Sequence, residues 1–261
     1  MKRTGQYAPI DDLQLYYELH GSGHPLALLH GGGSSMTTTY GRILPQLALG
    51  RCVIGVDAQA HGRTRDNGRP LSFERDADNL AALLDVLGIG KTDLMGFSNG
   101  ATTALHFAIR HPGRLGKLVI ASGLSRMDGI PPGFFEGFDH AVLDHMPQPL
   151  RDGFMADNED DPDAAGRLQV MFDRDVERMK HFRDIDDDKI TTIQAPALIL
   201  HADRDIVLVE HAVRLFRLMA HARLAVLPGG HEDYLGGSLA VDPGRTLPDL
   251  VVTLIQEFLD A

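Results

Sequence analysis

The 261-residue chain is poor in the features that would tie it to a disulfide framework, a membrane or a nucleic acid. Its single cysteine, Cys52, allows no intramolecular disulfide and suits a reducing compartment or indifference to one. Cys52 lies in the apolar run Cys52-Val53-Ile54-Gly55-Val56, where it reads as a small buried strand residue and not as a nucleophile. No run of about eighteen apolar residues occurs, so no transmembrane helix is expected. The start, Met1-Lys2-Arg3-Thr4-Gly5-Gln6-Tyr7, lacks the apolar stretch that follows the basic residues of a secretory signal, and the expected location is the cytoplasm. Basic residues are also in deficit, 25 Lys and Arg against 36 Asp and Glu. The resulting formal charge of -11 argues against nucleic acid or an anionic membrane as the main partner.

What is present fits one large α/β domain or two small ones, with 43% hydrophobic and 23% charged residues. Residues Leu13 to Leu19 alternate, and Pro25-Leu26-Ala27-Leu28-Leu29 is a continuous apolar run of the kind buried on both faces of a sheet. Strand-like and helical segments then alternate: a strand from Cys52 to Val56, a helix from Phe73 to Leu87, a strand from Asp93 to Phe97, a helix from Asn99 to His111 stopped by Pro112, and a strand from Leu118 to Ala121. After a break, the alternation resumes with a strand from Ala197 to His201, a helix from Val209 to Met219, a strand from Leu224 to Leu227 and a helix from Leu247 to Leu259. The pattern predicts a mostly parallel sheet with helices on both faces. The break, residues 124–188, is rich in proline, methionine, phenylalanine and acid, and reads as a small helical insertion and not as an independent domain. Its acidic run Asp184 to Asp188 has none of the His or Gly spacing of a metal loop and reads as a solvated face, so no metal is expected.

Gly96-Phe97-Ser98-Asn99-Gly100 stands between a strand and a helix. A glycine two residues on either side of a serine suits a turn so sharp that flanking side chains would meet backbone, and it leaves the hydroxyl exposed at the end of a helix. A serine hydroxyl needs a base to take its proton. Of thirteen histidines, His231 follows a strand in the loop Pro228-Gly229-Gly230-His231-Glu232, which places it at the sheet end where Ser98 is expected. The base needs an acid to hold its tautomer, and Asp203 and Asp205 both follow the strand that ends near His201. An oxyanion would need N–H donors: the Asn99 amide at the serine turn, and the loop His30-Gly31-Gly32-Gly33 after an earlier strand. His30 is expected to brace that loop by hydrogen bonds.

These motifs, with Asp57-Ala58-Gln59-Ala60-His61-Gly62-Arg63-Thr64, Ala202-Asp203-Arg204-Asp205 and Gly230-His231, resemble those of the α/β-hydrolase superfamily, in its branch of small serine esterases and C–C hydrolases. The resemblance runs from about Tyr16 to the C-terminus and weakens between Leu124 and Asp188. It implies a central sheet of about eight strands, a core of residues 1–123 and 189–261, and a helical cap at 124–188. It implies Ser98 as nucleophile, His231 as base, and the amides of Gly32 and Asn99 as oxyanion donors. The family acid ends a Gly-x-x-Asp turn whose glycine position is held by Ala202, so Asp205 is preferred to Asp203. The stretch from Asp57 usually reads Asp-x-Arg-Gly-His-Gly-x-Ser, and here Gln59, Ala60 and Thr64 depart from it. Gly33, Phe134, Phe135, Phe138, Met146, Phe154 and Met171 are the residues expected to bind substrate. The activity implied is cleavage of a small or medium apolar carboxylic ester through an acyl-enzyme, without a cofactor. Lactonase, C–C bond hydrolase and cofactor-free perhydrolase are the alternatives, and a non-catalytic ligand-binding protein is the reading from another class. The expected partner is a small-molecule ester or lactone, and the expected state a monomer or homodimer.

Overall fold

The computed structural model describes residues 5–242 and 244–261, so Met1 to Thr4 of the start fall outside it. Its strands are β1 (Gly5–Ile10), β2 (Leu13–Gly21), β3 (His24–Leu29), β4 (Arg51–Val56), β5 (Thr92–Phe97), β6 (Leu115–Ala121), β7 (Ala197–Ala202) and β8 (Ala222–Leu227). Its helices are α1 (Met36–Tyr40), α2 (Leu44–Leu47), α3 (Phe73–Val86), α4 (Asn99–Arg110), α5 (Gln148–Asp157), α6 (Ala164–Lys180), α7 (Asp187–Thr191), α8 (Val209–Leu218) and α9 (Leu247–Asp260). None of the helices among the described residues is long and apolar enough to cross a membrane.

One eight-stranded sheet, in the order β1-β2-β4-β3-β5-β6-β7-β8, forms the centre of this α/β fold. The β1–β2 and β2–β4 pairs are antiparallel, and every pair from β4 to β8 is parallel. The period of two along the central strands explains their unbroken apolar sequences. On β6, Leu118 and Ile120 face one layer while Val119 and Ala121 face the other. The first layer is filled from α3, α4 and α8, the second from α1, α2 and α9. A strand covered on both faces has no polar side to show.

Strand β1 escapes a reading by hydrophobic pattern. Pro9 interrupts it, and proline cannot donate to a ladder. It is tolerated because β1 is the sheet edge and pairs only with β2.

The strand order turns around between β3 and β5: β4 lies to one side of β3, and β5 begins the run to the other side. Loops leaving two such neighbours diverge to opposite faces and open a crevice at their carboxyl ends. The loop at Gly31 leaves β3 and the turn at Ser98 leaves β5, so the topology alone sets these two segments side by side.

Candidate functional site

The backbone at Ser98 has φ 53 and ψ -120, a conformation that L-residues rarely adopt. The turn is held by the Ser98 amide donating to Ala121 O at 2.9 Å and by the Ala101 and Thr102 amides donating to Ser98 O. A Cβ on Gly96 would come 2.2 Å from Gly100 O, and one on Gly100 would come 2.2 Å from Leu29 O. Both flanking glycines are therefore steric requirements. Ser98 itself is half-buried and caps α4, so the Asn99 amide is one of the helix's first N–H groups, which have no intrahelical acceptor.

The loop after β3 lies against this turn. A Cβ on Gly31 would stand 3.3 Å from Ser98 Cβ, and one on Gly32 would stand 2.5 Å from the Asn99 side-chain nitrogen. His30 donates from Nδ1 to Gly31 O at 2.7 Å and accepts the Ala58 amide at Nε2 at 3.0 Å, which fixes its neutral tautomer. Burial, helped by the nearby His61, pushes its pKa down to about 3. His30 is thus a brace of the glycine loop.

From the other side of the sheet end, the His231 ring lies 4.8 Å from the Phe97 ring, beside the serine turn. Its Nδ1 donates to Asp205 Oδ1 at 2.6 Å. Asp203 is elsewhere, with its Oδ1 accepting the Gly229 amide at 2.8 Å. Asp205 is fully covered and takes two further hydrogen bonds, from the Val207 amide at 3.0 Å and from Ser122 Oγ at 2.5 Å. Burial would raise the Asp205 pKa, but the His231 contact, Ser122 and the Val207 amide outweigh it and hold the carboxyl below its usual range. Since Ser122 spends its one proton on Asp205, the Tyr234 hydroxyl at 2.7 Å is the donor to Ser122. Ser122 ends β6 in a left-handed conformation, φ 50, which aims its hydroxyl at the acid. His201 is spent on the same turn, through Nε2 to Val207 O at 2.9 Å.

The stretch from Asp57 is an interior brace. The Asp57 carboxylate accepts the amides of Met36 and Arg63, and the Thr64 hydroxyl donates to Asp57 O. Ala60 holds φ 66 where the superfamily pattern carries glycine, a backbone strain of about 1 kcal/mol. Gln59 is buried and bonded to Asp66 and to Arg69 O.

The aromatic and methionine residues between β6 and β7 fall into two groups. Met146, Phe154 and Met171 are buried together with Leu150 and Ala60. Phe134, Phe135 and Phe138 are only partly buried, packed on a second cluster that includes Leu124 and Val207. The space over Gly33 is filled, with Met146 Cε 3.4 Å and Leu150 Cδ1 3.7 Å from where its Cβ would be. Several acidic residues here are paired: Asp157 with Arg63, Asp161 with Arg65 and Arg167, Asp187 with Arg214. No metal-binding group of His, Cys, Asp and Glu occurs among the described residues.

Glu232, next to His231, is buried and accepts the Leu239 amide at 2.6 Å. Burial, with Asp233 adding to it, raises its pKa from 4.5 to about 8. Between those values the folded chain keeps a proton that the unfolded chain has lost. The contribution of Glu232 to stability is therefore greatest at low pH and falls, by about 1.4 kcal/mol per pH unit, until the folded group also ionises. Urea unfolding from pH 5 to pH 8 should show Glu232→Gln gaining on the wild type steadily across that window. A constant difference would mean that Glu232 is already ionised at pH 5.

Residues 24–238 match the family model described as the alpha/beta hydrolase fold. Among curated proteins, the chain is 28% identical over 244 residues to a non-heme haloperoxidase of Rhodococcus erythropolis, covering 84% of this chain and 89% of the relative. It is 29% identical over 229 residues to a 2-hydroxy-6-oxo-2,4-heptadienoate hydrolase of Pseudomonas putida, covering 79% and 81%. Among solved structures, the enol-lactonase from Burkholderia xenovorans superposes with a TM-score of 0.75 at 19% identity, over 98% of this chain and 100% of that one.

Proposed function

The chain belongs to the α/β-hydrolase family, and we propose that it is a serine hydrolase that cleaves carboxylic esters of small to medium apolar acids or alcohols. The observation that carries the reading is the 2.6 Å bond from His231 to a buried, ionised Asp205, beside a serine held in a strained turn. In this reading Ser98 Oγ attacks the ester carbonyl while His231 Nε2 takes its proton. Asp205 keeps Nε2 as the unprotonated nitrogen and stabilises the imidazolium that forms. The carbonyl oxygen becomes an oxyanion between the Gly32 and Asn99 amides, where losing one donor costs about 10²–10³ in rate. His231 returns the proton to the leaving alcohol, and water, activated by His231, releases the acid. Residues 124–188 act as the cap over this site.

Charge favours a neutral substrate over a dienoate acid like that of the Pseudomonas relative. Arg178, which reaches the glycine loop through Asp175, is already balanced by Asp175 and Asp76. It holds no charge in reserve for a substrate carboxylate.

A serine-directed fluorophosphonate should label the wild type at Ser98, and p-nitrophenyl esters of increasing chain length should be turned over faster than simple lactones or a vinylogous diketo acid. Failure of the wild type to be labelled would overturn the serine-hydrolase reading. Labelling with preference for lactones or the diketo acid would keep the nucleophile and replace the substrate class.

A further inference from the structure

Helix α6 carries a carboxylate down onto the glycine loop. Asp175 Oδ2 accepts the Gly33 amide at 2.5 Å and His61 Nε2 at 2.8 Å, and its Oδ1 pairs with Arg178. Arg178 Nη1 continues to Asp76 Oδ2 at 3.1 Å on α3. The side chains of Asp175, His61, Arg178 and Asp76 are 13%, 0%, 5% and 8% exposed, so the four charges are withdrawn from water. His61 Nδ1 also contacts Gln59 O at 2.9 Å, and at Nε2 the 2.8 Å contact to Asp175 is shorter than the 3.3 Å approach of Gly33 N, so both ring nitrogens donate and the ring is a cation. Burial would lower the His61 pKa, but Asp175 outweighs it and the pKa is raised. The group is thus neutral overall, two carboxylates against two cations.

Buried ion pairs rarely stabilise more than apolar side chains of the same volume would. What this one does is geometric. A peptide unit is planar, with C=O and N–H pointing in opposite directions. His30 holds Gly31 O, which turns the N–H of Gly32 away from it. The next unit is held at both ends, Gly32 O by Ser34 Oγ at 3.2 Å and the Gly33 N–H by Asp175. The first hold comes from the sheet side of the molecule. The hold on Gly33 N–H comes from α6, across the cap boundary. Without it, that unit keeps only the Ser34 hydroxyl on Gly32 O and the longer, 3.3 Å approach of Gly33 N to His61 Nε2, and the glycines have no side chains to resist its rotation.

We propose that Asp175 is a positioning residue through which the seated cap completes the setting of the oxyanion loop: His30 orients the Gly32 N–H from the sheet side, and Asp175 fixes the peptide unit that follows it, so that the donor is held at its working position when α6 is docked. The proposal rests on the serine-hydrolase reading with Gly32 as donor. Asp175 touches neither serine nor base; it acts through the loop.

The test is steady-state hydrolysis of p-nitrophenyl butyrate by Asp175→Ala, Asp175→Asn and Arg174→Ala, with binding of a phenylboronic acid, which forms a tetrahedral serine adduct. Arg174 neighbours Asp175 on α6 and ties the cap to Asp66 at 2.8 Å without reaching the glycine loop. Asp175→Ala should lose about 10²-fold in kcat, the scale of one oxyanion donor, with KM little changed and boronate binding weakened in parallel. Asp175→Asn, whose amide oxygen still accepts the Gly33 N–H, should recover most of that loss. Arg174→Ala should lower Tm and leave kcat within about threefold, as a surface ion pair would. Asp175→Ala with wild-type kcat, or a loss confined to KM, would overturn the proposal while fluorophosphonate labelling of the wild type kept the hydrolase reading. If Asp175→Ala does not fold, Asp175→Leu, which keeps the bulk and also removes the acceptor for the Gly33 N–H, decides: a fall in kcat alone supports the proposal, and no change or a change in KM alone overturns it. If the wild type is neither labelled nor active, the underlying reading fails and this proposal with it.

Discussion

Asp205→Asn should lower kcat/KM for an ester by about 10³–10⁴, while Asp203→Asn should stay within about threefold of the wild type. The two aspartates are two residues apart on the same turn, yet their surroundings give them different work. Asp205 Oδ1 receives His231 Nδ1, whereas Asp203 Oδ1 receives only the Gly229 amide. An asparagine at 205 keeps its amide oxygen for Ser122 or Val207 and can present its NH2 to Nδ1. The imidazole then takes the tautomer with the proton on Nε2, the nitrogen proposed to accept the serine proton. Size and fold are unchanged, so the loss appears as rate and not as stability. A double variant with Ser98→Ala should be no slower than Ser98→Ala alone, because groups that act as one unit do not add their losses. Steady-state kinetics with thermal melts measure both halves. A collapse confined to Asp203→Asn would move the acid to that residue.

The serine turn, the Asp205 turn and the histidine loop were legible in the sequence because each is local: a strand-like run, then a turn residue or glycine, then the candidate side chain. The mostly parallel sheet was also implicit in the alternation of apolar runs, while its strand order was not. What supports the site was not legible, for a common reason. Ser122 is an ordinary serine after a strand until β6 is known to lie between β5 and β7, which brings its hydroxyl to Asp205. Tyr234 reaches it from a different loop. Asp175 sits in Asp173-Arg174-Asp175-Val176-Glu177-Arg178, a sequence that reads as a solvated helix face, and only docking buries two of those charges. His61 belonged to a recognisable stretch, but its partner is 114 residues away. In the segment between β6 and β7, composition announced apolar packing without direction. Phe154 and Met171 turn inward among their own neighbours, while Phe134, Phe135 and Phe138 stay partly open.

Gly100→Ala should be among the most damaging single methyls that can be added near the site, costing about 3 kcal/mol or more of stability. The added carbon would lie 2.2 Å from Leu29 O and 2.5 Å from His30 O. Both contacts are backbone, so no rotamer change relieves them; either the start of α4 lifts off β3 or the end of β3 bends away. Those two segments carry the Asn99 amide and the glycine loop, so relief by either path changes the spacing between the two proposed oxyanion donors. The fraction that still folds should therefore lose activity out of proportion to its stability. Gly137→Ala is the matched control, since nothing lies within 4 Å of its added carbon. Urea unfolding and ester turnover per folded molecule separate the effects. If Gly100→Ala unfolds like the wild type and stays active, the close approach of α4 to the end of β3 is not what holds the two donors together. If it folds poorly and its folded fraction is slow, the second glycine of the motif is seen to serve the oxyanion loop as well as the serine turn.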